Sequence, residues 1–213
     1  MENIIELKNI KKCFKNHVAL DEISVNFEKG KIHGIIGRNG SGKTVLLKCI
    51  CGLMHCDAGE IWVNRKKIGT DIDIAEKVGM IVETPGFLPF YSGVDNLKML
   101  MGICGKKDKH RIYQCMEMTG LNPKDKKHVC KYSLGMRQRL GISQAIMDDP
   151  EILLLDEPMN GLDNKGVSEM RTLFLQLKQQ NKTIILSSHS KEDIDILCDN
   201  VYEMDNGKMT KRR

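Results

Sequence analysis

Gly37-Arg38-Asn39-Gly40-Ser41-Gly42-Lys43-Thr44 is the stretch that decides the fold. It has the spacing G-x-x-x-x-G-K-[ST]. The short apolar strand pattern Ile32-His33-Gly34-Ile35-Ile36 precedes it. A helical pattern over 43–52 follows, with Val45, Leu46, Cys49 and Ile50 on one side. Glycines let the backbone curl until successive N–H groups face inward, where they can donate to phosphate oxygens. The helix N-terminus adds a partial positive charge at the same point. Lys43 brings a full cation for the β- and γ-phosphates, and the Thr44 hydroxyl is an oxygen donor of the kind Mg²⁺ favours. A chance glycine turn has no reason to sit between a strand and a helix. The run is therefore read as a nucleotide-phosphate cradle, although the loop alone leaves the use of the nucleotide open.

Downstream, Ile152-Leu153-Leu154-Leu155 is a strand-sized apolar run that ends in Asp156-Glu157-Pro158. A strand of a parallel sheet delivers such carboxylates to the C-terminal edge of the sheet, where ligands bind in open α/β folds. There Asp156 can hold Mg²⁺, directly or through water, and Glu157 can take a proton from an attacking water. An isolated Asp-Glu pair is more often plain surface; the phosphate loop upstream gives this one a role. Strand patterns also cover 4–7, 23–27, 60–63, 78–82, 183–186 and 201–204, the last ended by the turn signal Asn206-Gly207. Helical patterns cover 96–103, 110–119, 134–147 and 167–180, and a short helix starts at Ser190. Ser92-Gly93-Val94-Asp95 reads as a capping signal and 84–89 as a loop. This alternation predicts an α/β fold. Its parts are a mostly parallel sheet flanked by helices, an N-terminal antiparallel β subdomain and an inserted helical lobe. The expected organisation is one domain over 1–213, with a core of about 1–83 and 151–213 and a lobe of about 84–150.

Composition narrows the class further. The 213 residues suffice for one substantial core, and 41% hydrophobic with 29% charged residues argues against a disordered, collagenous or coiled-coil chain. No apolar run nears the roughly 18–20 residues of a membrane-spanning helix. Residues 1–6 lack the basic-then-apolar pattern of a signal peptide, so a membrane role would require a partner chain. The net charge of +5 is scattered apart from 124–131 and 208–213, and aromatics make up only 5%. That favours a solvated face over nucleic-acid binding. The eight cysteines have irregular spacing; Cys49-Ile50-Cys51 and Cys56 lack a second pair at zinc-like spacing, and all are read as reduced, partly buried thiols.

Before the Asp156 strand stands Tyr132-Ser133-Leu134-Gly135-Met136-Arg137-Gln138-Arg139-Leu140. This segment resembles the signature motif of the ABC-transporter ATPases, usually Leu-Ser-Gly-Gly-Gln: Ser133 and Gly135 match, Leu134 and Met136 depart, and Arg137-Gln138-Arg139 fits the family's continuation. Asn160-Gly161-Leu162-Asp163 resembles the D-loop, His189 the switch histidine, and Phe14 the aromatic placed against adenine. The motifs run in the family's order across about 2–210. One departure is informative. Where the family usually has Gln, at the end of the 78–82 strand, this chain has Glu83. Its loop, Glu83-Thr84-Pro85-Gly86-Phe87-Leu88-Pro89, is similar to that of ATPases in bacitracin-resistance and lantibiotic self-protection exporters. An ionised Glu only accepts hydrogen bonds, so it can ligate Mg²⁺ or orient water but cannot donate as an amide does.

The resemblance implies an ATPase, with ATP and Mg²⁺ as ligands, that works as a head-to-tail homodimer. Each ATP would lie between the phosphate loop of one chain and the Ser133 and Gly135 segment of the other, with Asp163 nearby. A transmembrane permease would dock on the helical lobe, especially 84–103, at the cytoplasmic face of the membrane. Glu157, His189 and Glu83 are the expected catalytic groups, and Thr44, Asp156 and Glu83 the expected metal ligands. Plainer roles exist for several of these. Ser133 and Asp163 are ordinary helix caps, Phe14 could be core, and a lone histidine is usually structural. Rival functions are a non-transport ABC-type ATPase, which would normally carry a coiled-coil insertion or a second ATPase copy, and a nucleotide-gated binding module without turnover. A GTPase would need a guanine-reading Asn-Lys-x-Asp, which Asn164-Lys165-Gly166-Val167 fails.

Overall fold

A computed structural model describes residues 2–83, 86–103, 105 and 107–213; Met1, Thr84, Pro85, Cys104 and Lys106 lie outside it, so the expected loop and permease-docking segment are described only from Gly86. The chain runs β1 (Asn3–Phe14), β2 (His17–Glu28), β3 (Ile32–Ile36), α1 (Lys43–Cys51), β4 (Ala58–Val63), β5 (Lys66–Lys67) and β6 (Val78–Ile81). Next come α2 (Gly93–Ile103), α3 (Lys109–Met118) and α4 (Leu134–Ile146). The last third holds β7 (Ile152–Leu155), α5 (Asn164–Gln179), β8 (Thr183–Ser187), α6 (Lys191–Leu197), β9 (Asn200–Asp205) and β10 (Lys208–Lys211).

Two sheets form. The larger has the order β10-β9-β3-β8-β7-β6, and its pairs are parallel except for the β9–β10 hairpin. The smaller is antiparallel, β2-β1-β4-β5. The predicted α/β class and the antiparallel N-terminal subdomain are both present.

Burial on both faces explains why β7 reads as an unbroken apolar run. Ile152 and Leu154 point to one side of the large sheet, where they pack with Leu46, Leu47 and Ile50 of α1 and with Ile5, Leu7 and Phe27 of the antiparallel sheet. Leu153 and Leu155 point to the other side, against Leu140 and Ile142 of α4 and Phe174 and Leu177 of α5. All four β7 side chains are essentially inaccessible. Each contributes about 1.5–3 kcal/mol of apolar burial. A charge at Leu154 would therefore separate α1, and the phosphate loop it begins, from the sheet.

Several boundaries differ from the sequence expectation. The first two strands extend over twelve residues each and form one long hairpin rather than short segments. Helix α2 starts at Gly93 rather than at residue 96. The Ser92 hydroxyl accepts from the Asp95 N–H at 3.2 Å and donates to the Asp95 carboxylate at 2.6 Å, so Asp95 closes the cap onto the serine side chain and not onto its backbone. The basic 208–213 run is not only a charged tail: Asn206 and Gly207 both take positive φ (46° and 75°), and the chain turns back into β10.

Candidate active site

The catalytic candidates gather at the C-terminal edge of the parallel strands, as the topology requires. The phosphate loop leaves β3 and opens α1. Gly42 is the residue before α1, with φ 106°, and a Cβ there would lie 2.4 Å from the Ala19 carbonyl oxygen. Any side chain at 42 would push the loop off the antiparallel sheet. Lys43 is buried, and its ammonium donates to the Gly37 carbonyl at 2.6 Å and the Arg38 carbonyl at 3.1 Å. Burial pulls its pKa below the usual lysine value, against the opposing charges of Glu157 and Asp156. The Ser41 hydroxyl is buried with no hydrogen-bond partner, an orphan donor inside the loop.

Asp156 and Glu157 follow β7 and meet this loop. Thr44 Oγ1 donates to Asp156 Oδ2 at 2.5 Å, across 112 positions of chain. The other Asp156 oxygen accepts from Ser187 Oγ at 2.6 Å. Ser187 also accepts from the Glu157 N–H at 2.9 Å, so one hydroxyl braces both acidic residues. The β7–β8 register sets Leu155 beside Leu186, and Ser187 therefore beside Asp156. No motif in the sequence marks Ser187; the signal that identifies it is this register, which needs the sheet.

His189 Nε2 lies 2.9 Å from Asn39 Oδ1 and 3.0 Å from Glu157 Oε1. The approach to Glu157 is close but poorly aligned, and Oε1 remains a buried oxygen without a hydrogen bond. Burial raises the Glu157 pKa above the ordinary glutamate value; the His189 and Lys43 charges oppose this and Asp156 adds to it. The result is a partly dehydrated carboxylate with an unused lone pair, the state a general base needs. Phe14, Asn39, Gly40, Gly42, Lys43, Thr44, Asp156, Glu157 and His189 share one cleft of about 320 Å³. Phe14 is 42% exposed and sits at the mouth, with the Lys12 ammonium 5.6 Å from its ring centre.

The remaining candidates lie apart from this cleft. Ser133 caps α4 by accepting from the Met136 N–H at 3.2 Å, and Asp163 caps α5 by accepting from the Gly166 N–H at 2.8 Å. Gly135 lies against Gly161, where an added Cβ would approach the Gly161 carbonyl oxygen to 2.9 Å. Gln138, next to the signature, donates to the Pro158 carbonyl at 3.0 Å and links α4 to the acidic loop. Glu83 does not line the cleft; its carboxylate pairs with Lys48 at 2.6 Å.

The donor set fits a hard divalent cation. Thr44 Oγ1 and Asp156 Oδ2 already touch, and Mg²⁺ commonly takes one or two protein oxygens and completes its shell with phosphate and water. Among the described residues there is no cluster of three or more His, Cys, Asp or Glu that could hold a metal ion. The orphan Ser41 hydroxyl and the inward Lys43 fit the polyphosphate.

The fold and this cluster define a P-loop nucleoside triphosphatase. The family profile for the ABC transporter matches residues 20–160. The chain belongs to that family, as an ATP-hydrolysing cassette. It is 43% identical to the ABC transporter ATP-binding protein YybJ of Bacillus subtilis (strain 168), over 97% of this chain and 94% of that one. It is 38% identical to the bacitracin transport ATP-binding protein BcrA of Enterococcus faecalis, over 99% of this chain and 69% of that one. Among solved structures, the dimeric bacterial ABC transporter cassette MJ0796 superimposes with a TM-score of 0.88 at 23% identity, covering 98% of this chain and 99% of that one; it attests the fold.

Proposed function

We propose that the chain energises an exporter of antimicrobial peptides, such as bacitracin, or of other drugs, as one of two ATPase subunits attached to a transmembrane permease at the cytoplasmic face of the membrane. The observation that carries the ATPase part is the convergence of Lys43, Thr44, Asp156, Glu157 and His189 on one cleft. The likeness to the bacitracin transport protein and the Glu83 loop support the exporter part. Among the described residues no helix is long and apolar enough to cross a membrane; in this reading the permease provides the path.

In this reading the phosphate loop binds the polyphosphate, Lys43 bridges the β- and γ-phosphates, and Phe14 stacks on adenine. Thr44 and Asp156 would hold Mg²⁺, with Glu83 as the further ligand the family resemblance implies; the cation would neutralise charge on the transferring phosphoryl group. Glu157 takes the proton of the attacking water, and His189 orients toward the γ-phosphate. Ser133 and Gly135 of a second copy close over the nucleotide, and Asp163 lines the joint. Two equivalent sites follow from two-fold symmetry. ATP draws the copies together and hydrolysis releases them. We read 1–213 as a single ABC ATPase domain whose lobe, about 84–150, seats the permease.

The test is expression of the chain, with any membrane protein encoded next to it, in a bacitracin-sensitive bacterium. Resistance should rise and should vanish with Glu157→Gln. Unchanged sensitivity with intact ATP hydrolysis sinks bacitracin as the substrate; no phosphate release from the purified chain with its permease favours a nucleotide-gated binding module.

A further inference from the structure

Glu83 occupies a place where the family usually has Gln, and the structure gives its carboxylate a partner that sequence reading did not find. Lys48 Nζ lies 2.6 Å from Glu83 Oε1. Lys48 stands four residues after Thr44 on α1, so the two side chains share one helix face. Glu83 stands two residues beyond Ile81, whose carbonyl accepts from the Asp156 N–H at 2.7 Å. Neighbouring chain segments thus make two parallel links to one face of α1: Asp156 to Thr44, and Glu83 to Lys48.

We propose that Lys48 is a positioning residue that competes with the nucleotide-borne divalent cation for Glu83. Without nucleotide, the ammonium holds the carboxylate beside α1 and offsets a negative charge that would repel an incoming polyphosphate. When the cation arrives at Thr44 and Asp156, its double charge outbids the ammonium and Glu83 turns to it. The Glu83 side chain is 64% exposed and that of Lys48 24%, so the pair is weak enough to exchange readily. A glutamine at 83 could accept a hydrogen bond from Lys48 but would form no ion pair with it. The inference rests on Thr44 and Asp156 as the cation site.

The experiment measures Mn²⁺ binding by electron paramagnetic resonance to the Glu157→Gln variant loaded with a non-hydrolysable ATP analogue. Lys48→Met should tighten Mn²⁺ about two- to fivefold. Glu83→Gln should weaken it, and Lys48→Met on top of Glu83→Gln should then change nothing. Lys48→Arg, which keeps the charge, should match the parent. Equal tightening by Lys48→Met in both backgrounds is a plain charge effect and overturns the proposal. No tightening, with Glu83→Gln still weakening, removes Lys48 but leaves Glu83 at the cation. If Thr44→Val leaves Mn²⁺ binding unchanged, the cation site itself is misassigned and the proposal falls with it. Should Lys48→Met not fold, Lys48→Gln removes the same charge and is scored alike.

Discussion

Ser187→Ala removes one buried hydroxyl that touches both acidic residues of the site. Two interactions disappear together: the hydroxyl's hydrogen bond to Asp156 Oδ1 at 2.6 Å and its acceptance of the Glu157 N–H at 2.9 Å. A hydrogen bond to a charged group contributes about 1.5–3 kcal/mol, and an orphaned buried N–H costs about 1–3 kcal/mol. Water entering from the cleft re-solvates part of this, so the sum is taken at about 2–4 kcal/mol. The fold should survive, because the lesion creates only a small void at the sheet edge. The larger effect should be on chemistry, since Asp156 and Glu157 lose their common brace. If about half of the sum is felt in the transition state, kcat falls roughly 5- to 30-fold at 1.36 kcal/mol per decade. Phosphate release under saturating ATP, titrated with Mg²⁺, reads both kcat and the metal requirement. A Ser187→Ala enzyme within twofold of the parent in both would refute the bracing argument. Ser187→Cys, which keeps a weak donor, should fall between the two.

Lys43→Ala should weaken ATP binding about 10- to 150-fold, as expected for a lost charged hydrogen bond; calorimetry showing unchanged affinity would contradict the loop assignment. Glu157→Gln should bind ATP normally yet turn over about 10²- to 10⁴-fold more slowly. As the proposed base, Glu157 would work only when deprotonated, and burial raises its pKa. The rate should therefore fail with acid at a pH above that of an ordinary glutamate, and His189→Ala, which removes an opposing positive charge, should move that limb higher still. A limb that stays put in His189→Ala argues against the His189–Glu157 contact. Gly42→Ala should cost at least about 2 kcal/mol through its positive φ and the Ala19 carbonyl, lowering Tm by roughly 4–8 °C; scanning calorimetry decides. Ser133→Asp should leave the melting temperature unchanged and abolish ATP-driven dimerisation in sedimentation, and a dimer that persists would remove Ser133 from the nucleotide.

Much of the fold was legible because its signals are local. The β3–loop–α1 unit can be read from a glycine spacing between two periodic segments, and β7 from four consecutive buried aliphatics. What escaped was set by pairing. The length of β1 and β2 comes from their antiparallel register, which carries polar and charged residues such as Lys11, Lys12 and Asp21 along in a strand their own pattern does not demand. The two-residue β5 exists because it pairs with β4. Strand β10 had the composition of a solvated tail, and only its register with β9 makes it part of the sheet. The site follows the same division: Lys43, Thr44, Asp156 and Glu157 are motif residues, whereas Ser187 and Lys48 enter through contacts 31 and 35 positions away in sequence.

The caps show why a plain structural role and a catalytic one need not exclude each other. The Ser133 hydroxyl accepts from the Met136 N–H to cap α4, and this uses a lone pair. Its own proton remains a donor, aimed from a helix N-terminus whose dipole favours an anion. In the proposed dimer the cap would fix the hydroxyl in place for a phosphate oxygen brought by a second copy. Asp163 differs in kind: its carboxylate has no proton to give and already accepts from the Gly166 N–H, so near a triphosphate it would repel. Its part in a closed dimer must then be to hold the loop 160–163 in shape, or to accept from a donor on the facing copy. Substitutions separate the two residues on that ground: an added carboxylate is harmful at Ser133 for its charge, while at Asp163 Asn keeps a capping oxygen and adds a donor. The chemistry of lone pair and proton, more than the position of either residue in a motif, decides which one can touch the nucleotide.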